Sequence, residues 1–135
     1  MTVAEHTTGR FPAEAAVARY FAAIAGRDAL AWAENFAAHG RSEDPVGGEP
    51  VVGREALRAF QQGIFDAFPV MSLRPVTHYY GGHQAAVTWT CHVEADGRGA
   101  DFDGVNTYEV GADGLIIRQK AFWDMAGVQQ QLSQA

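Results

Sequence analysis

The sequence predicts one α+β domain, with about three helices first and a curved antiparallel sheet afterwards, on three observations. Apolar residues recur at helical spacing as far as Phe68. After Pro69 the period drops from about 3.6 to about 2, the spacing of a strand with one buried face. The later segment is then cut at intervals by turns rich in Gly and Asp. A twisted sheet has to bury one face, and the helices are its only cover. A sheet curved around them makes a cone-shaped barrel whose pocket suits a small molecule.

The elements follow in order. Pro12 suits a first helical turn and Glu14 a helix start, while Val17, Tyr20, Phe21 and Ile24 fall on one face. Gly26 offers a stop, and Asp28 caps a second short helix through Leu30, Trp32, Ala33 and Phe36. The run Ser42 to Pro50 is punctuated by Pro and Gly and cannot be a regular helix. Pro45 pushes the residue before it toward extended geometry, which puts Asp44 at the end of a short strand. A third helix follows Gly53, with Leu57, Phe60, Ile64, Phe65 and Phe68 at helical intervals, and ends before Pro69. Ser72 to Tyr80, Gln84 to Glu94, Asp101 to Val110 and Leu115 to Trp123 read as strands. Between them lie Gly81-Gly82, Asp96-Gly97-Arg98-Gly99 and Gly111-Ala112-Asp113-Gly114, all suited to hairpins. Asp124 to Gln134 returns to a short helix. Residues 1–11 read as a flexible polar arm, leaving 12–135 as the domain.

Composition narrows the function. A length of 135 residues fits one core, and an apolar fraction of 47% is ordinary for a globular chain. A net charge of −6 argues against a nucleic-acid partner, which calls for a basic surface. The single cysteine, Cys91, excludes an intrachain disulfide and suits a reducing cytoplasm; its place in a strand reads as a small buried apolar residue. No signal peptide is expected in Met1 to Phe11, and no run has the length a membrane span requires. A cytoplasmic protein without a membrane partner is expected. His39, His78, His83 and His92 show no metal-ligand spacing, so no metal is called for. Trp89 and His92 stand an odd number of positions apart and face opposite sides of a strand. Nucleophile-elbow, phosphate-loop and dinucleotide motifs are missing, and no cofactor is expected. Phe60, Phe65, Phe68, Phe102, Phe122 and Trp123 read mostly as core, with some lining the pocket.

The sharpest motif is Glu43-Asp44-Pro45-Val46-Gly47-Gly48-Glu49-Pro50. It resembles the stretch that holds the catalytic base in bacterial steroid Δ5-3-ketoisomerases. Val17 to Ile24 resembles that family's first-helix segment with its oxyanion-hole tyrosine, and Gly104 to Val110 with Asp113 to Ile116 its second oxyanion donor. Trp123-Asp124-Met125-Ala126-Gly127 with Gln129 to Leu132 resembles the carboxyl end of SnoaL-like polyketide cyclases. The resemblance implies a nuclear-transport-factor-2-like (cystatin-like) cone, often a homodimer, taking a hydrophobic small-molecule substrate.

Each candidate has two readings. Asp44 is either a turn aspartate or, in an apolar pocket, a carboxylate whose pKa desolvation raises, which makes it a stronger base. Tyr20 is either a core tyrosine or a donor to an oxygen that gains negative charge. Asn106 stands where the isomerases carry a protonated aspartic acid; its amide donates without pKa tuning but is a weaker acid. That amide also suits orienting a water molecule, or serves no role beyond its strand. Asp124 corresponds to the cyclases' acid/base, though a helix cap is the reading its position favours. Three functions follow: a steroid-isomerase-like enzyme, a polyketide cyclase or epoxide hydrolase on the same fold, or a non-catalytic ligand carrier.

Overall fold

Local side-chain chemistry sets the helix ends in the computed structural model, which describes residues 10–134. Helix α1 (Ala13–Ala25) begins after Pro12, where the Glu14 carboxylate accepts from the backbone N–H groups of Arg10 (2.9 Å) and Phe11 (3.0 Å). It ends at Gly26. Helix α2 (Ala29–Glu34) is capped by Asp28, whose side chain accepts from Ala31 N at 2.9 Å. The chain then enters β1 (Phe36–Glu43), a two-residue β2 (Val51–Val52) and α3 (Arg54–Ala67). The meander β3 (Val70–Gly81), β4 (Gln84–Ala95), β5 (Arg98–Val110) and β6 (Ile116–Phe122) follows, and α4 (Met125–Leu132) closes the chain. Of the arm expected over 1–11, only Arg10 and Phe11 fall within the described residues. Phe11 stacks on Tyr80 with ring centroids 5.7 Å apart.

The six strands form one curved sheet in the order β2-β1-β6-β5-β4-β3, with α1, α2 and α3 filling its concave side. That is the expected α+β cone. Its core is Trp32, Phe36, Leu57, Tyr108 and Ile116, all fully buried. The β4–β5 turn is tighter than expected: Asp96 (φ 54°) and Gly97 (φ 77°) alone make it, and Arg98 and Gly99 belong to β5.

Two further details differ from the sequence reading. Phe36 is not helical: α2 stops at Glu34, and Asn35 ties the junction down by donating to Ala16 O while accepting from Arg19. The sheet is also not wholly antiparallel, since β1 runs parallel to β6. Successive hairpins set the direction of β6, whereas α2 sets the direction of β1, so no local signal encodes the sign of that pairing. Its consequence is functional. Glu43 pairs with Lys120, which brings the end of β1 beside the end of β6.

Candidate active site

Asp44 is the residue that leaves β1, joined to Pro45 by a cis peptide, and Val46 N fixes the following loop by donating to Ala121 O at 2.8 Å. The parallel pairing carries β6 forward to Trp123, whose indole N–H donates to Asp44 Oδ1 at 2.7 Å. Asp44 is half-buried at the wall of a cavity of about 230 Å³, lined mainly by apolar side chains including Ile24, Phe60, Phe68, Leu73 and Phe102. Burial holds its carboxyl above the ordinary carboxylate range; the Trp123 hydrogen bond acts in the opposite sense.

Tyr20 and Asn106 line the same cavity, each only 2% exposed. Tyr20 comes from α1, wedged between the rings of Trp32 (5.7 Å) and Tyr108 (5.1 Å). Burial raises its pKa, the Asp44 charge adds to that, and the Trp32 and Asn106 side chains oppose it, so its hydroxyl stays protonated and able to donate. Asn106 comes from β5, where inward residues alternate with outward ones. Its Oδ1 accepts from Trp89 Nε1 at 2.8 Å and its Nδ2 donates to the Tyr108 hydroxyl at 2.9 Å. These bonds set which end of the amide is which and leave Nδ2 one N–H to give. Gly104 makes room for Trp89: a Cβ there would lie 2.6 Å from the indole Cζ2 and 2.5 Å from Phe122 O.

Asp124 does not line this cavity. It is exposed, and its Oδ1 accepts from Gly127 N at 3.0 Å, capping α4. Met125 and Val128, further along α4, do line it. Phe122 also points away from the core, 45% exposed on the outer sheet face opposite Val105. Trp89 is buried while His92 faces outward between Asp101 (2.8 Å) and Glu94 (2.7 Å), on the side opposite the cavity. Cys91 reaches the cavity, but burial first, with Asp44 and Asp101 adding, pushes its thiol up to about 12, so no thiolate is on offer. Among the described residues no group of His, Cys, Asp or Glu side chains is placed to hold a metal ion, and no helix is long and apolar enough to cross a membrane.

The sequence reading assigned no role to three further residues. Trp123 reads there only as one of six aromatics that are mostly core with some lining the pocket, Tyr108 stands only within a motif, and Gln61 is not singled out. Gln61 is 2% exposed and lines the cavity. One signal pointed to it: Leu57, Gln61 and Phe65 are four residues apart and share one helix face.

Comparisons with known proteins bear on the family and the fold. A family model described as the SnoaL-like domain matches residues 17–119. A steroid Delta-isomerase of Nocardioides simplex is 34% identical over 110 residues, spanning 82% of this chain and 88% of that protein. Among solved structures, RV0760c from Mycobacterium tuberculosis, in complex with estradiol-17β-hemisuccinate, superposes with a TM-score of 0.79 at 23% identity, covering 87% of this chain and 98% of that one. SalBIII, an epoxide hydrolase/cyclase-like enzyme of pyran ring formation in salinomycin, gives 0.76 at 24%, covering 84% and 92%. At such identities the two structures speak for the fold alone. The family model and the isomerase relative go further: the chain belongs to the SnoaL-like family of the nuclear-transport-factor-2-like superfamily.

Proposed function

We propose that this chain is a cofactor-independent enzyme that moves a proton within a hydrophobic polycyclic ketone, in the manner of a steroid Δ-isomerase. The observation that carries the reading is a single carboxylate, Asp44, in the wall of an apolar cavity that Tyr20 and Asn106 also line. Ionised Asp44 takes a proton from the carbon between the ketone and an isolated double bond. The C–H electrons pass to the carbonyl oxygen, which accepts from the Tyr20 hydroxyl and the free Asn106 N–H as charge develops on it. Protonated Asp44 then returns the proton to the far end of the dienolate, the carbonyl re-forms, and atoms and electrons balance without an added oxidant or reductant. A base with a raised pKa suits this step, because the proton it takes is only weakly acidic. The isomerase relative supports the reading.

Ring closure of a polyketide or opening of an epoxide on the same fold is the second reading, and the fold likeness to SalBIII is its support. Epoxide opening wants an acid beside the base. Among the cavity-lining residues Asp44 is the one carboxylate, and Asp124 faces solvent, which favours proton transfer. The homodimer and cytoplasmic location expected from the sequence stay part of the proposal.

The test is direct. A Δ5-3-ketosteroid is mixed with the protein and the conjugated enone followed by ultraviolet absorbance, with Asp44→Asn and Asp124→Ala alongside. The wild type and Asp124→Ala turn over, while Asp44→Asn loses roughly 10²–10⁴-fold. No turnover by the wild type, or turnover untouched in Asp44→Asn, overturns the isomerase reading. Steroid bound but unchanged would point to a carrier, and epoxide turnover to the second reading.

A further inference from the structure

Among the polar side chains that line the cavity, Gln61 is the one with a fully buried nitrogen that has no hydrogen-bond partner. Asp44 is bonded by Trp123, and Asn106 by Trp89 and Tyr108. Gln61 lies on the buried stripe of α3 between Leu57 and Phe65, yet its Nε2 has no hydrogen-bond partner. A buried amide N–H left unpaired destabilises a protein, and an apolar side chain of similar size would pack there without that cost. What the free protein does not supply, a molecule in the cavity can: an oxygen to accept from Gln61.

Taking Tyr20 and Asn106 as the donors to the reacting carbonyl, as proposed above, that oxygen is not the reacting one. A carbonyl oxygen has two lone pairs, and two donors fill them. We infer that Gln61 donates to a second oxygen of the substrate, so the substrate is a hydrophobic ketone that also carries a hydroxyl or carbonyl group elsewhere on its skeleton.

The experiment reads binding rather than turnover. A conjugated 3-ketosteroid with no other oxygen is compared with a panel bearing a second oxygen on ring C, ring D or the side chain. Affinity is followed through tryptophan fluorescence, since Trp89 and Trp123 line the cavity. The wild type binds at least one member of the panel about tenfold more tightly than the mono-ketone. Gln61→Leu abolishes that preference, changes mono-ketone affinity less than about twofold, and raises the Tm of the ligand-free protein. Gln61→Met, close in length, repeats the measurement should the leucine variant fail to fold. Equal losses for all ligands, no change on substitution, or no preference in the wild type overturns the inference. Because no turnover is required, a protein that shows the preference without isomerising steroid overturns the proposed reaction while keeping the Gln61 contact. One that isomerises without the preference does the reverse.

Discussion

Replacing Trp123 by Phe removes one hydrogen-bond donor and keeps an aromatic ring against Phe102, whose centroid lies 5.2 Å from that of Trp123. The donor it removes is bonded to the proposed base at 2.7 Å. A hydrogen bond to a charged group contributes about 1.5–3 kcal/mol, all of it to the ionised form here. Trp123 and Asp44 both keep some solvent contact, so the lower end applies, and its loss cuts the ionised fraction roughly tenfold wherever Asp44 is mostly protonated. The variant therefore loses about tenfold in kcat/KM on the acid side of the pH–rate profile. On the alkaline plateau, where Asp44 is ionised with or without the indole, it stays within a few-fold of wild type. The assay is enone absorbance from a Δ5-3-ketosteroid across the pH range, with the folded state checked by circular dichroism. A uniform loss at every pH would show that the indole only packs. An acid limb moved to lower pH would refute the reasoning about Asp44 altogether.

Two more outcomes follow from the site. Burial holds the Asp44 carboxyl above its ordinary 3.8, so the folded chain binds that proton more tightly than the unfolded one; the stabilisation is whole below 3.8 and is lost as pH rises through the raised value. Asp44→Asn therefore melts above wild type at about pH 8, with the gap closing as the pH falls toward 3.8, and a constant gap in a Tm series would contradict it. Gly104→Ala drives a methyl into Trp89 and Phe122 O, costing roughly 1–3 kcal/mol by thermal melt and lowering turnover as Trp89 loses its place on Asn106; an unchanged Tm would mean the strand yields freely.

What could be read from the residues, and what could not, divides by range. Helical faces, the caps at Asp28 and Asp124 and the Gly-rich turns are local patterns, and the folded chain keeps them. Phe36 reads as helical from local sequence because an apolar residue four positions after Trp32 fits a helix as well as a strand start. The parallel partner of β1 was out of reach because strands 80 residues apart leave no mark of their pairing on local sequence, as with Phe36 and Ile116. The site shows the same division. Asp44, Tyr20 and Asn106 were visible as residue types in motif-like runs. The group bonded to Asp44 was not, because the Trp123 contact spans 79 residues and exists only through the unpredicted pairing. Gln61 went unseen for another reason: a glutamine in a helix usually faces water, and only its place between Leu57 and Phe65 argues otherwise.

The proposed oxyanion side of the cavity turns on what an amide can do where an acid would serve. A protonated carboxylic acid donates its one proton and depends on a raised pKa to keep it. Asn106 has no proton to lose, so its donation persists at any pH at which the fold persists. Its uncertainty is orientation instead, since a flipped amide would point a lone pair at the developing negative charge. The network removes that freedom: the Trp89 indole can only donate, so it requires the carbonyl end of Asn106, and the amino end must face Tyr108 and the cavity. Trp89 in turn holds its position because residue 104 is glycine. A weaker donor is thus aimed by three residues of one sheet, Trp89, Gly104 and Tyr108. The proposed division of labour is that Asp44 is tuned by burial while Asn106 is fixed by geometry.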